Sequence, residues 1–390
     1  GFKMLNQGSR LICLLALTFS SVFAFHFQFN QNGDFTILQF TDFHFGEATD
    51  FDEKTLALQR RMIERVKPDL IVMSGDGVGG YNGYILHLFT DSGWFEKHWK
   101  QFTTPFVEAK IPYAFILGNH DSEADLNHEE IVRLDKTNPY SVLGQSEDRS
   151  LPGTDNYYIP IYSKTDGKKM VANIWMFDTG VWECDGTKKS YGCIEQHQIE
   201  WYNEMSEKLK EENGDNVHHI CFIHIPLPEY QEVYNNEKIY GHANEGIACP
   251  SVNSGFFDAV KQNGNINAIF AGHDHNNDFG GFYKGIELVY GRKSGYGSYG
   301  SMHGVRVIEM KETVDGNGVS TVTKKHYVID ADGSIETTDT MEYRTGAKQL
   351  QGPHVSEMTF LVLRYMRVYD YVLLGLVAAS TIVLGIYQWK

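Results

Sequence analysis

An α/β fold organised around a parallel sheet is the class this sequence predicts, and two patterns predict it. Apolar, β-branched runs alternate with amphipathic helical stretches over the first two thirds of the chain. Each run also stops abruptly at a short polar cluster, as strands do at a sheet edge. With 390 residues, 42% of them hydrophobic and 22% charged, the chain can bury a large core and does not read as disordered.

The elements follow in order. FTILQFTD (35–42) is apolar and β-branched and reads as a strand, and KTLALQRRMIERV (54–66) has helical periodicity. DLIVMSGD (69–76) is a buried-strand pattern, a helix is expected over 94–109, and PYAFILGNHD (112–121) repeats the strand theme. MVANIWMFDTG (170–180), a helix around 195–211, VHHICFIHIP (217–226) and INAIFAGHDH (266–275) continue the alternation. The texture then changes: GFYKGIELVYG, HGVRVIEM and TVTKKHYVID read as antiparallel strands joined by Gly-rich turns. No internal repeat or interdomain linker interrupts the chain. A boundary is expected near 340–355, so the main domain is read as 25–345.

Both ends differ from the body. RLICLLALTFSSVFA (10–24) has a basic residue before an apolar stretch and a small-residue end, which predicts a secretory signal peptide over 1–24, with an uncleaved anchor as the alternative. YVLLGLVAASTIVLGIYQW (371–389) carries no charge and as a helix would be roughly 28 Å long. It reads as a transmembrane helix behind a juxtamembrane segment, 346–370, that mixes charge and aromatics. A buried core helix and a GPI signal are the alternatives. With a cleaved leader, a single-pass membrane protein of the secretory pathway or cell surface follows, its main domain lumenal or extracellular. In that compartment Cys184 and Cys193, in the polar loop WECDGTKKSYGC, are expected to pair as a disulfide. Cys221, in an apolar run, reads as a buried thiol.

The formal charge is −16. An acidic chain argues against nucleic acid as a partner, because phosphate contacts along a duplex need Lys and Arg. Small phosphates stay open, since bound metal ions invert a local field.

The strand ends carry the chemistry. They deliver Asp42 and His44, Asp76, Asn119 with His120 and Asp121, His224, and finally His273 and His275. In open α/β sheets, sites form beyond the carboxyl ends of strands. Imidazole mixed with carboxylate suits Zn, Fe or Mn rather than the all-oxygen shells of Ca and Mg. Seven such ligands (Asp42, His44, Asp76, Asn119, His224, His273, His275) are enough for two ions, with Asp76 the natural bridge. Taken singly each piece has an ordinary explanation: Gly-Asp is a common turn, Asn-His-Asp a helix cap, and a histidine in an apolar strand a core residue. The joint order and placement point to a dinuclear metal site.

TDFHFGE, GDG, GNHD, FIHIPLPEY and GHDHNNDFGG, in that order, resemble the motifs of the calcineurin-like metallophosphoesterase superfamily over about residues 35–310. HIPLPEY, GHDHNNDF and GYGSYG (295–300) resemble more narrowly its purple acid phosphatase-like branch, and within it the plant-type "probable inactive" proteins. The resemblance implies a β-sandwich flanked by helices with two metal ions at its edge. It implies one ion on Asp42, His44, Asp76 and His275, and a second on Asp76, Asn119, His224 and His273. It further implies hydrolysis of a phosphoester by a hydroxide held between the ions, with His120 assisting the leaving group and Asp121 orienting its ring. Asp274 should point away from the ions. The tyrosine that colours true purple acid phosphatases would fall at Gly79, so this chain should not be purple.

Softer candidates are Arg292 as a phosphate clamp and Tyr296 and Tyr299 on the leaving-group side. The expected substrate is a phosphorylated small molecule or a phosphoprotein, hydrolysed as a monoester. A phosphodiesterase or nucleotide pyrophosphatase on the same ions, and a silent membrane-anchored binding protein, are the rival readings.

Overall fold

The computed structural model describes residues 25–81, 93–143, 155–339 and 342–343. The leader (1–24), the juxtamembrane segment (346–370) and the apolar span (371–389) lie outside the described residues. Among the described residues no helix is long and apolar enough to cross a membrane.

Strands β1 (Phe27–Gln28) and β2 (Asp34–Phe40) come first. Helix α1 (Thr49–Val66), β3 (Leu70–Ser74), α2 (Trp94–Ala109) and β4 (Tyr113–Ile116) continue the alternation. After α3 (His128–Asp135) follow β5 (Tyr157–Tyr162), β6 (Met170–Met176) and the hairpin β7 (Trp182–Cys184) with β8 (Thr187–Tyr191). Next are α4 (Gln196–Asn213), β9 (His218–Phe222), α5 (Glu229–Asn236), β10 (Lys238–Tyr240), α6 (Phe256–Asn263) and β11 (Ile266–Ala271). The rest is β-structure: β12 (Gly280–Tyr283), β13 (Ile286–Tyr290), β14 (Gly304–Val314), β15 (Ser320–Asp330), β16 (Ile335–Thr337) and β17 (Glu342–Tyr343).

The alternation suggests one parallel sheet, but the strands form two. One has the order β16-β15-β14-β2-β3-β4, and the other β1-β5-β6-β9-β11-β13-β12-β10-β17. Each has a parallel run, β2-β3-β4 at one end of the first and β6-β9-β11-β13 in the middle of the second. The antiparallel strands β14 and β15 return to the first sheet, with Ile308 opposite Ile37. Hydrophobic periodicity marks a strand but not the sheet it joins, so this division could not be read from the pattern.

The sheets face each other. Phe35 of β2 packs edge-on against Phe27 of β1 at 6.1 Å, and His326 of β15 against Phe270 of β11 at 5.5 Å. Helices cover the outer faces. On α2, Phe95, Trp99, Phe102 and Phe106 recur at helical spacing and are buried, and Phe106 lies 5.8 Å from Phe40. On α4, Tyr202 meets Trp175 of β6 at 5.2 Å. The result is a helix–sheet–sheet–helix stack, with the parallel strands of both sheets ending at a common edge.

α1 buries Leu58, Met62 and Ile63 and stops at Lys67, whose left-handed conformation precedes Pro68. α3 starts at a capping box, in which Asn127 accepts from the Glu130 N–H at 3.0 Å and Glu130 accepts from the Asn127 N–H at 2.9 Å.

Candidate metal centre

The ladders of both sheets run on past the strands into kinked loops. Asp42 N–H donates to the Gly75 carbonyl at 3.1 Å, His44 N–H to the Asp76 carbonyl at 3.0 Å, and Gly272 N–H to the His224 carbonyl at 3.0 Å. Asp42, His44, Asp76 and His273 all adopt positive φ, at 55°, 53°, 53° and 79°. Left-handed backbone at non-glycine residues costs on the order of 1–3 kcal/mol each and persists only where the surroundings impose it. Here it turns four side chains toward one point.

All seven expected ligands are buried there. Ligand atoms of Asp42, His44, Asp76 and His275 lie within 4.8 Å of one another, as do those of Asp76, His224 and His273, and Asp76 belongs to both groups. Asn119 Oδ1 is 3.2 Å from His224 Nε2 and so adjoins the second group. This division coincides with the one the family resemblance implies.

The protonation pattern tests whether a cation fits. His275 Nδ1 lies 2.9 Å from the Tyr299 carbonyl and His224 Nδ1 lies 2.9 Å from the Ser74 carbonyl. A carbonyl only accepts, so both Nδ1 atoms carry hydrogen, and in the neutral ring each Nε2 presents a lone pair. The Nε2 of His224 faces Asp76 Oδ2 at 3.2 Å and Asn119 Oδ1 at 3.2 Å. The Nε2 of His275 faces Asp42 Oδ1 at 3.5 Å and His44 Nε2 at 3.1 Å. Lone pairs converging on lone pairs repel unless a cation or a proton sits between them. The residues therefore fit two metal ions, and the mixed N/O donors suit Zn, Fe or Mn.

Electrostatics agree. Burial alone would lower His224, yet the Asp76 carboxylate holds it up to about 10, so in the protein alone a proton takes the place of a cation. Burial would raise Asp76 and Asp42, but the histidines hold both below the usual carboxylate range, His224 chiefly for Asp76 and His275 for Asp42. Burial and His224 together push His273 down to about 3, leaving its ring neutral, as a ligand must be.

His120 lies at the accessible side, with its side chain 32% exposed. Its N–H donates to Asp76 Oδ1 at 2.9 Å, and its ring centroid is 5.5 Å from that of His44. Burial would lower the ring's pKa, but Asp76 and Glu123 hold it up to about 8. The expected orienter is not the one found. Asp121 accepts from the N–H groups of Asp76 (3.0 Å), Val78 (2.9 Å) and Gly118 (2.8 Å), which ties the second and third motif loops together. Glu123 holds the ring instead, its Oε2 2.7 Å from His120 Nδ1. The signal for it was an acid three residues after a histidine, on the one-turn helix Asp121–Glu123.

Arg292 also departs from expectation. It is 3% exposed, and its guanidinium pairs with Asp278, with Asp330 at 2.7 Å and with Glu336 at 3.0 Å. These carboxylates hold both terminal nitrogens, so the guanidinium braces strand ends and is not placed as a phosphate clamp. Tyr296 stacks on His303 at 4.1 Å and packs against the core. Asp274 points away as expected, accepting from Tyr290 Oη at 2.6 Å and from Ala248 N–H. Cys184 and Cys193 are joined as a disulfide that closes the β7–β8 hairpin, and Cys221 is a buried free thiol.

Lys293 also belongs to the site. It is 1% exposed, and its Nζ donates to the carbonyls of Asp42 (3.1 Å), Gly295 (2.9 Å) and Gly297 (2.6 Å). It thereby fastens the Gly-rich loop to the first motif. A lone Lys in a Gly-rich loop gives no signal of burial.

Residues 35–277 match the calcineurin-like phosphoesterase family. Two Arabidopsis thaliana proteins named probable inactive purple acid phosphatases are similar. Number 28 is 33% identical over 73% of this chain and 77% of its own length, and number 29 is 31% identical over 70% and 75%. Among solved structures, a dimetal phosphatase from Danio rerio is similar with a TM-score of 0.49 and 11% identity, over 78% of this chain and 99% of its own. On the extent of the family match and the order of its motifs, the chain belongs to the calcineurin-like phosphoesterase family, on the purple acid phosphatase-like branch.

Proposed function

We propose that this chain is a metal-dependent phosphomonoesterase. The observation that carries this reading is the convergence of seven ligands in two groups sharing Asp76, with the exposed edge of His120 beside them. Two ions bound there would supply an acidified water as nucleophile and offset charge on the phosphoryl oxygens. The chain's own residues do the rest. The fixed, left-handed loops hold the ligands in place before substrate arrives, which limits reorganisation during the reaction. His120, protonated and held through Nδ1 by Glu123, is placed to give a proton from Nε2 to the departing oxygen. Glu123 stabilises the charged ring until that transfer.

The names of the similar plant proteins include the word "inactive". Against a silent binding role for this chain stands its complete ligand set together with the His120–Glu123 pair, which a protein that only binds phosphate would not need. A phosphorylated small molecule or a phosphoprotein is the proposed substrate. The proposed organisation is a leader, a catalytic domain over 25–345 and a single membrane span over 371–389, with the domain lumenal or extracellular. The Cys184–Cys193 disulfide supports an oxidising compartment.

The test is p-nitrophenyl phosphate hydrolysis by the protein loaded with Mn, Zn or Fe, beside bis-p-nitrophenyl phosphate and the His120→Ala variant. Metal-dependent monoester turnover, reduced about 10²–10⁴-fold in the variant, is expected. Good diester turnover with little on monoesters would favour the phosphodiesterase reading. Absence of turnover and of bound metal would overturn both.

A further inference from the structure

Three tyrosines stand around the metal cluster, each against a different histidine. Tyr81 meets the His120 ring edge-on at 5.0 Å. Tyr191 meets His273 edge-on at 4.7 Å. Tyr299 lies nearly parallel on His275 at 4.1 Å and 22°, and is 51% exposed.

Each is held by a different device. The Tyr81 hydroxyl donates to Glu47, whose other oxygen accepts from Ser298 N–H, so the ring is a fixed wall. Tyr191 sits on β8 of the disulfide-closed hairpin and stacks on Trp182 at 5.1 Å and 17°. Tyr299 is tied by its backbone, since its carbonyl accepts from His275.

Among the described residues, two acidic side chains adjoin this collar, Glu47 beside Tyr81 and Glu123 beside His120. The two basic residues of the adjoining Gly-rich loop are buried and engaged, Arg292 by three carboxylates and Lys293 by three carbonyls. A substrate with several phosphates needs cationic side chains to replace its counterions, and this loop offers it none. An aromatic ring attached to a single phosphate meets aromatic surfaces, where stacked and edge-on pairs are favourable.

From these contacts we infer that Tyr81, Tyr191 and Tyr299 form a leaving-group subsite that selects monoesters of aromatic alcohols over alkyl and polyphosphorylated substrates. This rests on the phosphomonoesterase reading above and names its substrate class.

Binding of inert analogues separates the two. Phenylphosphonate and methylphosphonate share a phosphoryl group that cannot be hydrolysed, and calorimetry on the metal-loaded protein measures each without turnover. Phenylphosphonate should bind about five- to tenfold more tightly. That ratio should fall toward one in Tyr191→Leu and Tyr299→Leu, which keep apolar bulk and lose the ring. Equal binding of the two analogues by the unaltered protein would overturn the collar and leave the phosphatase reading intact. A phenyl preference retained in both variants would overturn it as well. If neither analogue binds a protein carrying two ions per chain, the phosphate site itself fails and the subsite fails with it.

Discussion

Replacing Gly75 by alanine should cost this protein half of its metal. Gly75 stands between Ser74 and Asp76 with φ +94°, and a Cβ there would lie 2.1 Å from His224 Nδ1. That nitrogen fixes the ring through its hydrogen bond to the Ser74 carbonyl. Forcing alanine into left-handed backbone costs about 1–2 kcal/mol, and the overlap adds about 1–3 kcal/mol. The melting temperature should therefore fall by about 3–8 °C. Gly264 supplies the comparison: its φ is +68° and a Cβ there meets nothing within 4 Å, so Gly264→Ala bears the backbone cost alone. Thermal unfolding, with elemental analysis after dialysis, reads both effects. The parent and Gly264→Ala should retain two ions per chain. Gly75→Ala should retain about one, on Asp42, His44, Asp76 and His275. The reasoning is refuted if Gly75→Ala keeps both ions and melts with Gly264→Ala.

Further expectations address the bridge, the proton donor and the acid stability. Asp76→Asn should lose both ions because both groups share that carboxylate, whereas His273→Ala should lose one; calorimetric metal titration giving equal stoichiometries would contradict the shared role. Glu123→Gln should lower kcat roughly tenfold. It should also move the alkaline limb of the pH profile to lower pH, because Glu123 helps hold His120 up to about 8 and the protonated ring is then lost earlier; an unmoved limb would leave Glu123 a purely structural residue. Glu287, buried between β13 and β15, accepts from Tyr240 at 3.0 Å and pairs with Lys324. Burial would raise it, but His326 and Lys324 bring it down from 4.5 to about 2. A lowered carboxylate stabilises above its unfolded value and loses that contribution as pH falls from 4.5 to 2. Glu287→Gln should therefore cost about 3 kcal/mol at pH 7, and the gap in denaturant unfolding should close toward pH 2. A gap independent of pH would show that charge is not the cause.

Much of this molecule is legible in its residue order. The helix expected over 94–109 is found at Trp94–Ala109, because Phe95, Trp99, Phe102 and Phe106 recur at a period that only a helix buries on one face. Strand ends at Asp42, Asp76, Asn119, His224 and His273 were visible because each apolar run stops at a ligand-type residue, often beside a glycine. That order, kept along the chain, was enough to name the family and its expected ligands. It could not assign strands to sheets, since β2 and β11 present similar apolar runs yet lie in facing sheets.

The roles of individual polar side chains were decided by the tertiary structure. Arg292 and Lys293 are adjacent in sequence beside the motif region. The fold turns the first onto carboxylates of β16 and its surroundings and the second onto carbonyls at the foot of the site. Asp121 and Glu123 differ by two positions, yet one accepts three backbone N–H groups and the other holds His120. Residue type sets what a side chain can donate or accept, and the sequence shows that directly. Its partner is whatever group the fold places within about 3 Å, often from a strand or loop more than a hundred residues away, and only the folded chain specifies that distance.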